Sequence, residues 1–214
     1  LELYQCHFHS EPKSVLKCLF VGDLYNFGNN TDKYWDEAEF IDSVSYDFFD
    51  LKDVETTAGL WAYGYTSFPA SPDLDKLGNY EEFAKELKKM EYTETASPIR
   101  TLAAIEVINN MKAGDTRINC VVFLSAQKNT LPLPALDPKN MEIKTIVAVG
   151  FDSTDLSTVA GKRGVAVSVP YYYSDSDVTN VVNAIQGKYK PPTPKPTTTP
   201  KPTTTPRLST TPSI

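Results

Sequence analysis

The sequence has 214 residues, of which 41% are hydrophobic and 22% charged, so it is long enough and apolar enough to bury the core of one ordinary domain. Its net charge is −6, but the last 25 residues hold four basic residues and no acids, which leaves −10 for residues 1–189. An acidic body excludes the basic surface on which nucleic-acid-binding proteins depend, and no apolar run is long enough to insert into a membrane. Because the sequence opens on Leu1 without a signal peptide, we expect a processed portion of a longer protein.

The first predicted elements are a strand, a helix and a second strand. Residues 15–22 form a near-continuous apolar run, which indicates a strand buried on both faces. Residues 58–66, the segment AGLWAYGYT, are rich in aromatic side chains, which is typical of a strand. Between them, residues 36–49 carry apolar side chains at helical spacing. These side chains are Ala38, Ile41, Val44 and Phe48.

Two helices are predicted next, each from a capping signal. Asn79, with Glu82 three residues later, matches the pattern of a capping box. The buried face of this helix is predicted to comprise Phe83, Leu87 and Met90. Ser97 and Pro98 fit the N-cap and first position of the following helix, which Gly114 would end. Its inward face is predicted to comprise Leu102, Ile105, Ile108 and Met111.

The second half of the body repeats the alternation of strand and helix. Short apolar runs at 118–124, 143–150 and 165–169 predict three further strands, with a short helix at 153–160. A last helix is predicted from the Ser174–Asp177 capping pattern, from apolar residues at helical spacing and from a closing Gly187. Strands that alternate with helices predict an α/β fold, a three-layer α-β-α sandwich in which helices flank a mainly parallel sheet.

The C-terminal segment differs from the body in composition. Residues 190–214 contain eight Pro and nine Thr, including the tandem repeat KPTTTP at 195–206. Such a segment cannot bury enough apolar surface to offset the entropy lost on ordering, so we predict a disordered tail. The composition is typical of an O-glycosylated, mucin-like stalk, and a plain linker is the alternative. We therefore divide the chain into a domain at 1–189 and a Thr/Pro-rich linker or stalk at 190–214.

Three cysteines bear on the redox environment of the chain. The spacings of Cys6, Cys18 and Cys120 match no zinc-binding pattern. Cys18 lies five residues before Asp23 and Cys120 five residues before Ser125, so the two would lie level on neighbouring strands. Buried, unpaired thiols and a disulfide are both compatible with these positions.

Five segments of the body, in their order along the chain, resemble the von Willebrand factor type A (vWA) domain family. The resemblance covers nearly all of residues 15–187 and implies a Rossmann-like sandwich with a ligand site at the carboxyl ends of the strands. The segments are CLFVGDLYNF, TTAGLWAYGYTSF, YTETASPIRTLAAIEVI, INCVVFLSAQ and IKTIVAVGFDSTDLSTVAG.

The resemblance also implies a position for a metal-ion-dependent adhesion site. In the family, an Asp-x-Ser-x-Ser loop, a Thr from a second loop and an Asp from a third hold a divalent cation. Here Asp23 matches the first Asp, but Tyr25 and Phe27 stand at the two Ser positions, Ala96 at the Thr position and Ser125 at the second Asp position. Mg²⁺ requires closely spaced oxygen ligands, so we predict a degenerate site that binds neither a metal nor another cofactor.

The same edge of the sheet is predicted to contact a partner, because aromatic side chains there suit an anchoring role. Phe27 allows two interpretations: it fills the former cation position, which we favour, or it contacts the partner. For Tyr25 we favour exposure. The predicted binding surface comprises Asp23, Tyr25, Asn26, Phe27, Ser97, Ser125 and Gln127.

A sequon and the positions of the two histidines bear on glycosylation and on catalysis. Asn29-Asn30-Thr31 is an N-glycosylation sequon, for which Asn29 is the predicted acceptor. His7 and His9 are the only histidines and precede the first strand, so a nucleophilic mechanism has no general base at the strand ends. We therefore expect no enzymatic activity.

The leading hypothesis is a secreted, extracellular adhesion or binding module whose ligand is a protein or a glycan. Neither nucleic-acid binding nor membrane insertion is expected. Because relatives in the vWA family are often joined to other modules, such as C-type lectin domains, the resemblance implies a further domain beyond the tail. One alternative is a structural spacer or self-association domain, and another is a hydrolase that uses Asp23 and Ser125.

Overall fold

The computed structural model describes residues 14–191. The predicted stalk from residue 192 onward, and residues 1–13 with Cys6, His7 and His9, lie outside the described residues. The strands are β1 (Ser14–Leu24), β2 (Val54–Gly64), β3 (Cys120–Ser125), β4 (Thr145–Gly150) and β5 (Val165–Ser168). The helices are α1 (Thr31–Phe49), α2 (Tyr80–Leu87), α3 (Thr101–Asn109), α4 (Ser157–Ala160) and α5 (Asp175–Ile185). Within 14–191, no helix is long and apolar enough to cross a membrane.

The predicted α/β sandwich is confirmed. The five strands form one parallel sheet in the order β2-β1-β3-β4-β5. Helices α1, α2 and α5 cover one face, and α3 and α4 cover the other. Successive side chains of β1 pack on opposite faces of the sheet. Cys18 and Phe20 point to the first layer of helices, and Leu19 and Val21 point to the second. This two-sided burial explains why the strands are near-continuous apolar runs.

Aromatic packing holds α1 and α2 against the sheet. Phe20 of β1 lies edge-on to Phe48 of α1 at 5.9 Å and to Phe83 of α2 at 5.2 Å between ring centroids. All three rings are buried, and burial of one such side chain contributes about 1.5–3 kcal/mol. The predicted inward residues Phe83, Leu87 and Met90 are confirmed as buried.

The capping predictions are confirmed for two helices. Asn79 and Glu82 form a reciprocal capping box at the start of α2, and Ser174 and Asp177 form another at the start of α5. Helix α1, in contrast, begins at Thr31 rather than at residue 36. The side chain of Asn30 accepts a hydrogen bond from the backbone of Lys33 at 3.2 Å, which adds a turn ahead of the apolar stripe.

The prediction for the third helix is wrong at its start and for Leu102, while the predicted inward residues Ile105, Ile108 and Met111 are confirmed as buried. Helix α3 begins at Thr101 after an extended Arg100, not at Ser97-Pro98. Ile99 packs against the core cluster beneath α3, so the chain remains extended through this segment and the local cap signal is overridden. Leu102, predicted to face inward, is exposed. The inward residues of α3 are Thr101, Ala104, Ile105 and Ile108.

The two cysteines of the central strands form a disulfide. Cys18 of β1 lies directly opposite Cys120 of β3 in the parallel register, and their sulfur atoms are bonded. Both residues are fully buried. Of the two interpretations that the spacing allowed, the structure therefore supports the disulfide, which links positions 102 residues apart along the chain.

Candidate functional site

The candidate site lies where the chain reverses its order across the sheet. From β1 the chain runs to β2 on one side, and it later returns to β3 on the other side of β1. Loops that leave the carboxyl ends of two such strands diverge and open a crevice between them, which is the usual ligand position in open α/β sheets. Asp23 lies near the end of β1 and Ser125 is the last residue of β3.

The carboxylate of Asp23 accepts hydrogen bonds from the loops that follow β1 and β3 and from the last residue of β3. Its Oδ1 accepts from the backbone nitrogens of Tyr25 at 2.8 Å and Asn26 at 3.0 Å. Its Oδ2 accepts from the backbone nitrogen of Ala126 at 2.9 Å, the hydroxyl of Ser125 at 3.1 Å and the side-chain amide of Asn26 at 2.5 Å. Asp23 is fully buried. Five donors thus satisfy a charge that would otherwise be expensive to bury.

The side-chain nitrogen of Asn26 is the centre of this arrangement. It lies 2.5 Å from Oδ2 of Asp23, 2.9 Å from Oγ1 of Thr101 and 3.3 Å from Oγ of Ser125. Because an ionised carboxylate can only accept hydrogen bonds, the amide must present its NH₂ group to Asp23. Three oxygens, from β1, α3 and β3, therefore converge on an uncharged donor, at the position for which the vWA resemblance implies a cation.

Thr101, rather than Ala96, contributes a hydroxyl to this cluster. Its hydroxyl donates to Oε1 of Gln127 at 3.0 Å and accepts from the amide of Asn26. Ala96 and Ser97 are exposed in the segment that precedes α3. Ser97, which the sequence assigns to the binding surface, is thus open to solvent, and its contact with a ligand stays a prediction. The inward spacing of Thr101, Ala104, Ile105 and Ile108 is the signal in the sequence that identifies Thr101.

Ser125 is held in place from below and from the side. The hydroxyl of Tyr63, which lies opposite Asp23 in the register of β2, donates to Oγ of Ser125 at 3.1 Å. The backbone nitrogen of Gln127 donates to the same atom at 3.2 Å. Burial and the nearby charge of Asp23 raise the pKa of Tyr63 well above its usual value, so this phenol remains a hydrogen-bond donor.

A second acid, Glu37 of α1, lies beneath the site and was missed by sequence reasoning. It is fully buried, and its Oε1 accepts a hydrogen bond from the backbone nitrogen of Asp23 at 2.7 Å. Its Oε2 has no partner among residues 14–191. Burial, and then the charge of Asp23, raise the pKa of Glu37 well above its ordinary value. Glu37 lies three residues after Tyr34 on the inward face of α1, and this helical spacing is the signal in the sequence that indicates its burial.

The rim of the site is formed by aromatic rings. Tyr25 stacks on Tyr65 at 5.9 Å, and Tyr65 contacts Tyr92 at 5.5 Å. On the other side, Phe27 is half-buried against the core rather than placed beside Asp23, and Tyr171 contacts Tyr172 at 5.0 Å. The buried rings of Tyr34 and Phe151 connect the two sides. We call these partly or fully exposed rings the aromatic arc: Tyr25, Phe27, Tyr65, Tyr92, Tyr171 and Tyr172.

The residues present do not fit the divalent cation that the resemblance implies. Both oxygens of Asp23 are engaged by donors, the Asn26 amide lies where the oxygens converge, and Tyr25 and Phe27 place no oxygen there. Within the part of the chain that the structure describes, no three His, Cys, Asp or Glu residues are grouped so that they could hold a metal ion. The acceptor Asn29 is exposed in the turn before α1, and its glycosylation stays a prediction.

No protein-family model matches this chain, and no curated protein matches it either. Among solved structures, the chain is similar to proximal thread matrix protein 1 (PTMP1) from the mussel byssus, with 15% sequence identity and a TM-score of 0.49. The similarity covers 82% of this chain and 48% of the mussel protein, so this chain spans about half the length of that structure.

Proposed function

We propose that this chain is an extracellular, non-catalytic binding module of the vWA type. It contacts a protein or glycan ligand through the aromatic arc and requires no divalent cation. One observation carries the proposal. Half-exposed aromatic rings surround a buried cluster of polar side chains that already form hydrogen bonds with one another. The Asn26 amide completes the hydrogen bonding of Asp23, Thr101 and Ser125, so a ligand has no free carboxylate or open cation position to engage.

The chemistry of the arc suits a protein or glycan surface. Tyrosine provides a rigid apolar face and a hydroxyl, and both can contact a partner with little loss of side-chain entropy. Tyr172 is the most exposed of these rings, at 89% of its maximum. The amino group of Lys33 lies 5.1 Å from the ring centres of both Phe27 and Tyr171, which adds a positive charge to the edge.

Several features support an extracellular location. The Cys18–Cys120 disulfide is of a kind that persists in oxidising compartments. The sequon at Asn29 is exposed, and the Thr/Pro-rich segment after residue 190 has the composition of a stalk. Together these features favour a secreted module that is carried on a spacer.

The position of Ser125 favours binding over hydrolysis. A serine nucleophile needs a base that removes its proton and an open path to the substrate. Ser125 is fully buried, donates to Asp23 and accepts from Tyr63 and Gln127. The rings and the backbone above it leave the hydroxyl inside the fold.

Binding to cell surfaces and to a glycan array, measured in EDTA and in millimolar Mg²⁺ or Ca²⁺, tests the proposal. We expect equal binding in both conditions, and a loss of about tenfold for Tyr172→Ala and for Tyr25→Ala, equivalent to about 1.4 kcal/mol. Met141→Ala is the matched control, since Met141 is exposed and precedes β4 at the opposite edge of the sheet. Binding that requires a cation, or that neither tyrosine variant weakens, would contradict the proposal.

A further inference from the structure

The outward face of α1 is unusually aromatic for a solvent-exposed helix surface. Trp35, Glu39, Asp42 and Tyr46 follow one another at intervals of four, three and four residues, so they form one stripe along the helix. Trp35 is 64% exposed and Tyr46 is 61% exposed. Exposed rings of this size in a row mark a surface that contacts something else.

Two grooves flank this stripe. One, of about 390 Å³, lies between α1 and α2 and extends from Trp35 past Tyr80 to Lys88. The other, of about 470 Å³, lies between α1 and α5 and is bordered by Tyr46, Tyr80 and Asp175. The hydroxyl of Tyr80 donates to Asp42 at 3.1 Å where the grooves meet, and its ring lies edge-on to Tyr46 at 5.6 Å. The rings of Tyr46 and Tyr80 are therefore held in place before anything binds.

The charge of the grooves selects a basic occupant. Four carboxylates line them, against one amino group, that of Lys88. The carboxylates belong to Glu39, Asp42, Asp47 and Asp175. Aromatic rings beside carboxylates suit proline rings that alternate with Lys or Arg, because a polyproline helix packs its rings on aromatic side chains while its cations pair with acids.

The chain carries such a segment itself, after residue 190. Pro-Lys-Pro occurs at 194–196 and again at 200–202, followed by Pro206-Arg207, and the segment has no acid. In a polyproline helix, a repeat of six residues advances about 19 Å. Trp35 and Tyr46 are eleven residues apart on α1, which corresponds to about 17 Å along the helix axis. The period of the repeat thus matches the spacing of the two exposed rings.

The segment is also long enough to reach the grooves. Helix α5 ends at Ile185, and Asp175 at its other end borders the second groove. The axial distance between these two residues is about 15 Å. In a polyproline helix, Pro191 and Lys201 would lie ten residues apart, which corresponds to about 31 Å. We propose that the Pro-Lys-Pro repeats of residues 194–202 dock on the α1 face, with prolines on Trp35 and Tyr46 and lysines against the acids of the grooves.

Trp35 offers a direct readout in the full chain. The sequence has two tryptophans, and Trp61 is fully buried, so quenching of fluorescence by acrylamide reports on Trp35. If the segment is docked in at least half of the molecules, the quenching constant should rise about twofold when docking is abolished. We expect that rise for Lys195→Glu/Lys201→Glu, for Asp42→Asn/Asp47→Asn and for the unchanged chain in 0.5 M salt.

The control carries the same change of charge on another part of the domain. Lys112→Glu/Lys144→Glu reverses two exposed lysines, one that follows α3 on the far side of the sheet and one that precedes β4, and it should leave quenching unchanged. Docking that is independent of protein concentration assigns the contact to the segment of the same molecule, and concentration-dependent docking assigns it to a second copy. Equal quenching in the unchanged chain and the Lys195→Glu/Lys201→Glu variant would overturn the proposal.

Discussion

The side-chain nitrogen of Asn26 lies 2.5 Å from Oδ2 of Asp23 and serves as its partner at the position for which the vWA resemblance implies a metal ion. An amide donates hydrogen bonds without carrying a charge, so it satisfies a carboxylate without ordering water or binding a free ion. Asn26 comes from the same loop as Asp23, and the partner is therefore permanently attached. We infer that the hydrogen bonding of Asp23 does not depend on the ions in solution, because its partner belongs to the same loop.

Asn26→Asp should make the stability of the protein depend on divalent cations, which we expect not to affect the unchanged protein. The substitution replaces a donor with a second carboxylate beside Asp23, so in EDTA the variant should unfold at a lower temperature than the unchanged protein. Millimolar Mg²⁺, Mn²⁺ or Ca²⁺ should restore stability, by about 2.7 kcal/mol at a hundredfold excess over Kd. Thermal unfolding with and without each ion measures the effect.

Asn29→Asp provides the control, because it makes the same change of charge three residues away on an exposed turn. Neither this control nor the unchanged protein should respond to the ions. A cation-dependent rise in the melting temperature of the unchanged protein would show that Asn26 does not replace a metal ion.

Thr101→Val should destabilise the protein, since Thr101 connects Asn26 to Gln127 and is buried. The variant keeps the shape of the side chain but removes the hydroxyl, and the expected loss is about 1–3 kcal/mol in the free energy of unfolding. Urea denaturation measures it. Thr154→Val is the matched comparison, because the buried hydroxyl of Thr154 has no partner among the described residues. Equal losses in the two variants would argue against the hydrogen-bond network.

Glu37→Gln should change the way stability depends on pH. The pKa of Glu37 is raised in the folded protein from an ordinary value near 4.5, so its contribution to stability is complete below that pH. As the pH rises further, the unfolded chain releases this proton while the folded protein retains it. Stability then falls by up to about 1.4 kcal/mol per pH unit until the folded pKa is reached.

Glutamine cannot ionise, so the Glu37→Gln variant should gain stability relative to the unchanged protein as the pH increases above 4.5. Urea unfolding between pH 4 and pH 9 measures this difference. Glu39→Gln, on the exposed side of the same helix, should show no such trend. Parallel pH profiles for the Glu37→Gln variant and the unchanged protein would mean that Glu37 ionises normally in the fold.

Removal of the disulfide should lower stability strongly. The bond between Cys18 and Cys120 closes a loop of about one hundred residues, for which the chain-entropy model gives about 4–5 kcal/mol. Cys18→Ala/Cys120→Ala, or treatment with a reductant under denaturing conditions, should shift the urea midpoint accordingly. Peptide mapping without reduction should recover the two cysteines in one linked fragment. Separate fragments would contradict the pairing.

The sheet could be predicted because the pattern in each strand reflects its own burial. Within the predicted run 118–124, residues 120–124 are apolar at every position because helices cover both faces, and no distant information is needed to recognise them. The capping boxes at Asn79 and Ser174 are equally local, since donor and acceptor are three residues apart. Both kinds of signal were confirmed.

The site could be predicted only in part, because its hydrogen bonds join residues far apart in the sequence. The start of α3 was misplaced because Ile99 packs against the core, and the resemblance, in turn, pointed to Ala96 although the hydroxyl at the site comes from Thr101. Asn26 was assigned to the surface, but its partners on β3 and α3 are 99 and 75 residues away. Glu37 was missed because an acid on a helix is normally solvated, and only the fold shows it beneath Asp23.

The disulfide has a mechanical consequence for the first strand of the sheet. Tension applied through the N-terminal side of the chain would enter the domain along β1, which lies between the edge strand β2 and the central strand β3. Cys18 is only the fifth residue of that strand, and it is covalently fastened to β3. A pulling force could therefore peel away only four residues of β1 before it loaded a covalent bond, and the loops around Asp23 would remain shielded from the strain.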